Sequence, residues 1–118
     1  MGNEIVKQIA TGQSLASNFV SQVVPIGPGV DNVMFNIEAK DVSVNTGVFT
    51  IEHRIVKDAF RKSAWGPLCL DEDPTLENVN TVKTIYLNQV PIGEIRIVFT
   101  VTGSPDGTCD IWYSGRNL

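Results

Sequence analysis

Along residues 92–104 apolar and polar side chains alternate, with Ile95, Ile97, Phe99 and Val101 on one side and Arg96, Val98, Thr100 and Thr102 on the other. That period of two predicts a long strand with at least one buried face. The alternation returns at 108–114, where Cys109, Ile111 and Tyr113 oppose Asp110, Trp112 and Ser114. Between the two runs, Gly103-Ser104-Pro105-Asp106-Gly107 carries turn chemistry, because Pro sets φ and Asp-Gly tolerates positive φ. The two strands are predicted to form a terminal hairpin against which the rest of the chain packs.

Upstream, Val33, Phe35, Ile37 and Ala39 alternate with Asn32, Met34, Asn36 and Glu38, and Phe49, Ile51, His53 and Ile55 alternate with Thr50, Glu52 and Arg54. A further strand is predicted at 81–88 through Val82, Ile85 and Leu87. Residues 14–26 space Leu15, Phe19, Val23 and Val24 almost as a helix would, but Pro25 and the strand-rich surroundings favour an irregular strand. Residues 57–62 hold the one credible helical turn. Residues 63–70, interrupted by Gly66-Pro67, read as a bent or edge strand. Strands half-buried on alternate residues must close their apolar faces on one another. The fold class is therefore all-β, a single-domain antiparallel β-sandwich over 14–118, with 1–13 as an N-terminal arm or edge strand. The predicted core comprises Phe35, Ile37, Phe49, Ile51, Leu70, Ile85, Leu87, Ile97, Phe99 and Ile111.

Composition narrows the function. The 118 residues suit one domain, and the 42% hydrophobic content contains no apolar run of membrane-spanning length. The first residues lack the basic region and apolar run of a signal peptide, so assembly in a reducing cytoplasm is expected, with Cys69 and Cys109 as buried thiols. Nine basic against thirteen acidic residues, a net charge of -4, is the wrong balance for a nucleic-acid surface. His53 alternates in phase with apolar residues and is expected to be structural. Asp71 and Asp73, with Glu72 and Glu77, lack the order of a calcium loop and read as a solvated acidic loop. Gly27-Pro28-Gly29 is no phosphate cradle. No catalytic constellation emerges, so the expectation is no enzymatic activity, no cofactor, no metal and no small-molecule substrate. Two sets of residues stay open. Arg54, Lys57, Arg61 and Lys62 form a basic cluster that either meets an acidic partner or keeps a linker solvated. Trp65, Trp112 and Tyr113 either stack on a sugar or partner, or fill the core.

Three stretches, NVMFNIEA, GVFTIEHRIV and IYLNQVPIGEIRIVFTVTGSPDGTCDIWYSGR, resemble the small jelly-roll decoration (cement) and minor virion proteins of tailed bacteriophages. Together they cover about half the chain, and their motifs are structural rather than chemical. The family's S-x-D-G-x-x-W segment is replaced here by HRIVKDAFRKSAWGPL, in which Trp65 supplies the aromatic. The resemblance implies an eight-stranded jelly roll on the outer capsid surface of a virion assembled in a bacterial cytoplasm, binding the major capsid protein and bridging capsomers. Tail or baseplate placement and a carbohydrate- or receptor-binding module are the alternatives. A homo-oligomer, dimer or trimer, is expected on symmetry grounds. Ile5, Val6 and Ile9 would let the N-terminal arm add to a neighbour's sheet edge. The loops around 57–62 and 71–80 would meet the capsid, with Trp65 and Trp112 as candidate contacts.

Overall fold

Strand pairing in this chain is nested, the first strand with the last and each later strand with an earlier one. β1 (Glu4–Ser14) pairs with β11 (Thr108–Arg116), and β2 (Phe19–Val20) and β3 (Val24–Ile26) pair with β10 (Gly93–Val101). β4 (Asn32–Lys40) pairs with β9 (Thr81–Asn88), and β5 (Gly47–Arg54) with β8 (Gly66–Pro67), all antiparallel. The chain thus behaves as one long hairpin rolled into two sheets, which is a jelly roll. One sheet has the order β1-β11-β4-β9, and the other runs β2-β10-β5-β8 with β3 also on β10. The computed structural model describes residues 4–27, 32–43, 47–68, 81–88, 93–103 and 105–116. Cys69, Leu70, Asp71 and Asp73 lie outside the described residues, as do the rest of the acidic loop and Pro28-Gly29.

The core lies between the sheets. Phe35, Ile37, Phe49, Ile51, Ile97, Phe99 and Ile111 are all buried there, as their phase predicted, and Ile85 and Leu87 pack against it. Phe49 and Phe99 stand directly opposite on paired strands, with ring centroids 4.9 Å apart, and Phe19 joins them 5.4 Å from Phe99. Such aromatic pairs add to the stabilisation that burial alone supplies. The irregular strand expected at 14–26 is the interrupted pair β2 and β3. Across the gap, the Ser21 N–H donates to the Ile97 carbonyl (2.8 Å) and the Ser21 hydroxyl accepts from the Ile97 N–H (2.9 Å). One side chain thereby stands in for the missing ladder bond, which explains why a buried serine is tolerated.

Four expectations need correction. β10 and β11 are not a hairpin: they lie in different sheets, each central, and the chain passes from one layer to the other between Val101 and Thr108. Gly107, with φ of 92°, makes this crossing close under the Lys40 carbonyl, where a side chain would collide. The helical turn at 57–62 is instead a small hairpin of β6 (Val56–Asp58) and β7 (Arg61–Lys62). Ile55 leaves the phase of β5 and is 62% exposed, because the strand ends at Arg54. Finally, of the two alternatives for the N-terminal segment, arm or edge strand, 4–14 takes the second, and it pairs within its own chain's sheet and not with a neighbour's. Ile9 is 1% exposed within the core, so it cannot serve a neighbouring subunit. The bulges in β1 near Ala10 and Gly12 set it out of strict alternation, which hid this packing from a period-two pattern.

Candidate functional site

Two surfaces present side chains that the fold itself does not need. The first starts on the outer face of the β5–β10 pair. Arg54 lies opposite Glu94 and Arg96 opposite Glu52 across the ladder. The guanidinium Nε of Arg54 donates to Glu94 at 2.7 Å, and that of Arg96 to Glu52 at 2.8 Å. Trp65 lies over both guanidinium groups, 4.4 Å from Arg54 and 4.2 Å from Arg96 to its ring centroid, so its role is a cation–π cover on this sheet. Lys62 adds a second cation 3.5 Å from Glu94. Burial works to raise the Glu94 carboxyl, but hydrogen bonds and charge from Arg54, joined by Lys62, hold it below its ordinary value.

From this platform the β6–β7 hairpin continues. Its base is closed by the Ser63 N–H donating to the Ile55 carbonyl and by the Ile55 N–H donating to the Ser63 hydroxyl, each 2.8 Å. Its turn is built by one aspartate. Asp58 Oδ1 accepts from the N–H groups of Phe60 (2.9 Å) and Arg61 (3.0 Å), and Oδ2 accepts from Arg61 Nε (2.6 Å). The Arg61 guanidinium first, then the Phe60 N–H, lowers the Asp58 carboxyl below its usual range. Phe60 at the apex is 96% exposed. The basic cluster expected here is therefore mostly neutralised within the chain: Arg54 and Lys62 by Glu94, Arg61 by Asp58. Phe60 escaped the sequence pattern, although a lone aromatic among Lys57, Asp58, Arg61 and Lys62 was the available signal.

The second surface is the outer face of the other sheet. Register places Val6, Ser114, Met34 and Tyr86 in one row across β1, β11, β4 and β9, and Gln8, Trp112, Asn36 and Thr84 in the next. Five of the eight exposed large apolar side chains among the described residues lie on this face: Val6, Met34, Val82, Tyr86 and Trp112. A cleft of about 170 Å³ opens beside Trp112, lined also by Val6, Met34 and Asn36. Tyr113 does not join the other two aromatics; it is 2% exposed, in the core. Trp65 and Trp112 are on opposite sheets, so the three aromatics share no platform. Tyr86 is the partner that sequence reasoning missed, and its phase opposite Ile85 and Leu87 was the signal. Among the remaining candidates, the side chain of Ile5 lies outside the described residues, and Lys57 is exposed on β6.

The sequence matches no protein-family model and no curated protein. Among solved structures, a chain in the structure of infectious bursal disease virus, Gx strain, overlays with a TM-score of 0.51 and 12% identity, over 98% of this chain and 36% of that one. The overlay shows a shared β-sandwich fold, and this chain spans little more than a third of the viral chain it matches. The Gt strain of the same virus gives 0.44 at 13% identity, over 98% of this chain and 30% of that one. Dimeric latent PorU from Porphyromonas gingivalis gives 0.41 at 8% identity, over 98% and 13%. Those two overlays are too loose to bear on the fold.

Proposed function

We propose that this chain is a structural, non-enzymatic virion protein that decorates the outer capsid surface. It docks its β6–β7 hairpin on the major capsid protein and bridges capsomers. The observation that carries the docking is Phe60, almost fully exposed on a turn already locked by Asp58. A turn whose backbone is fixed before the partner arrives loses less entropy on binding, and buried aromatics dominate interface energetics. The β-sandwich shared with that viral chain supports the virion role. Identical weak contacts repeated over a lattice gain from avidity, which supports a symmetric dimer or trimer as the bound form.

The test uses shells from the parent genome with this gene deleted. Purified protein is expected to cosediment with them and to raise the temperature at which they burst. Phe60→Ala should keep the thermal midpoint of the isolated protein and weaken shell binding about 30-fold, the equivalent of an anchor worth ~2 kcal/mol. Shells that leave the wild type unbound, or binding to isolated tails instead, would remove the decoration role. Full binding by Phe60→Ala would remove the hairpin from it.

A further inference from the structure

The outer face of the β1-β11-β4-β9 sheet has a chemistry unlike the rest of this acidic chain. Neither of its two central rows contains a charged residue, although charged residues make up 19% of the sequence. Charged residues flank these rows on both sides, Glu4 and Arg116 in the row beyond Val6 and Ser114, and Asp110 and Glu38 in the row beyond Trp112 and Asn36; Asp110 is already engaged by the Gly12 N–H (2.7 Å) and Lys40 (3.0 Å). Beside Trp112 and Tyr86 the two rows hold Val6 and Met34 together with the neutral amides and hydroxyls of Gln8, Asn36, Thr84 and Ser114, and the Asn36 amide donates to Thr84 at 3.4 Å. All are mounted on paired strands, so their spacing is set by the sheet and not by a loop.

We infer that this face binds an uncharged saccharide, with Trp112 as its stacking platform. Aromatic rings present a flat apolar surface that matches the C–H face of a pyranose, and amides and hydroxyls exchange hydrogen bonds with sugar hydroxyls. Two rows without charge offer a charged ligand no counter-ion. Size selects against a second copy of the chain or another large protein. Four strands ~4.8 Å apart and two rows ~7 Å apart make an uncharged panel of roughly 300 Å², and a partner could reach the ~800 Å² of a stable protein interface only by also covering the flanking rows that carry Glu4, Arg116, Asp110 and Glu38. The cleft of about 170 Å³ beside Trp112 is also smaller than the ~300–1,000 Å³ of sites for drug-sized ligands and suits a single sugar ring. Weak sites of this kind become useful when many copies are displayed together. The panel lies on the sheet opposite the one that carries the Trp65 platform, and the inference does not depend on what the hairpin binds.

The sequence contains two tryptophans, so Trp65→Phe leaves Trp112 as the sole indole and an internal reporter. That full-length variant is titrated with neutral malto-, cello-, manno- and N-acetylchito-oligosaccharides, following indole fluorescence and amide NMR shifts, with sialyl- and uronic-acid oligosaccharides alongside. The expected result is saturable binding of at least one neutral series at micromolar to millimolar strength, with shifts centred on Trp112, Asn36 and Tyr86. In the wild-type background, Trp112→Ala should weaken it at least about tenfold with an unchanged thermal midpoint, and Tyr86→Ala should weaken it less. The inference is overturned by no saturable response to any neutral series, by preference for the charged sugars, or by binding that Trp112→Ala leaves intact. Loss of shell binding in Trp112→Ala without any sugar binding would assign the face to protein docking and overturn it equally.

Discussion

Tyr113 is the residue whose environment is least like that of its neighbours. Its ring packs on Phe35, centroids 5.8 Å apart, and its hydroxyl is buried with no hydrogen-bond partner among the described residues. Burial raises its pKa, so the group stays a neutral phenol. Gly115 makes the space: a Cβ there would come within 2.8 Å of Tyr113 Cζ. An unpaired buried hydroxyl costs free energy that phenylalanine would not. Tyr113→Phe is therefore expected to raise stability by about 1 kcal/mol in urea unfolding at neutral pH. A loss of that size would instead reveal a partner for the hydroxyl. On the same strand, burial pushes the Cys109 thiol up to about 12, which keeps it protonated and poorly reactive.

At the scale of elements, acidic side chains tie strands together at several points. Asp110 on β11 accepts from the Gly12 N–H in the bulged part of β1 and from Lys40 at the end of β4. The Gly12 N–H first, then Lys40, holds its carboxyl below the ordinary value. Glu94 and Asp58 are held low in the same direction. A carboxylate whose folded pKa is depressed contributes stability that is fully present above its unfolded pKa, near ~4, and is lost as pH falls through the folded value. The thermal midpoint should therefore hold from neutral pH to about 5 and fall as the pH drops below ~4. Asp110→Asn should flatten the acid limb by removing one of the titrating groups. An acid limb as steep as that of the wild type would show that Asp110 does not couple β1 to the sheet.

For the whole molecule, nesting has a kinetic consequence. The register Glu4↔Arg116 joins the two ends of the described chain, and β10 must find β2 and β3 across the intervening sheet strands. Such contacts close long loops before they return any stabilisation, so folding of this topology is slow. Stopped-flow refolding should show a main phase in the millisecond-to-second range, and a microsecond phase reaching the native signal would contradict the nested order. The same nesting places the Trp65 platform and the Trp112 panel on opposite outer faces.

What the sequence by itself determined was which segments extend and which of their faces are buried. Phe35, Ile37, Phe49, Ile51, Ile97, Phe99 and Ile111 were all legible as core, because a period of two is a local property written by hydrophobicity alone. Which strand lies beside which was not legible. Alternation at 92–104 and 108–114 is the same whether the two strands pair or face each other across a core, and only the hydrogen bonds of distant segments chose the second arrangement. Ile9, Leu15, Val24 and Ile26 joined the core only through bulges and a broken strand that no regular period describes. The candidate surfaces followed the same rule. The outward phase of Trp112 could be read along one strand. The neighbourhood of Trp112 and Tyr86, the stack of Trp65 on Arg54 and Arg96, and the exposure of Phe60 depend on which strands the tertiary fold brings side by side and on where one of them ends.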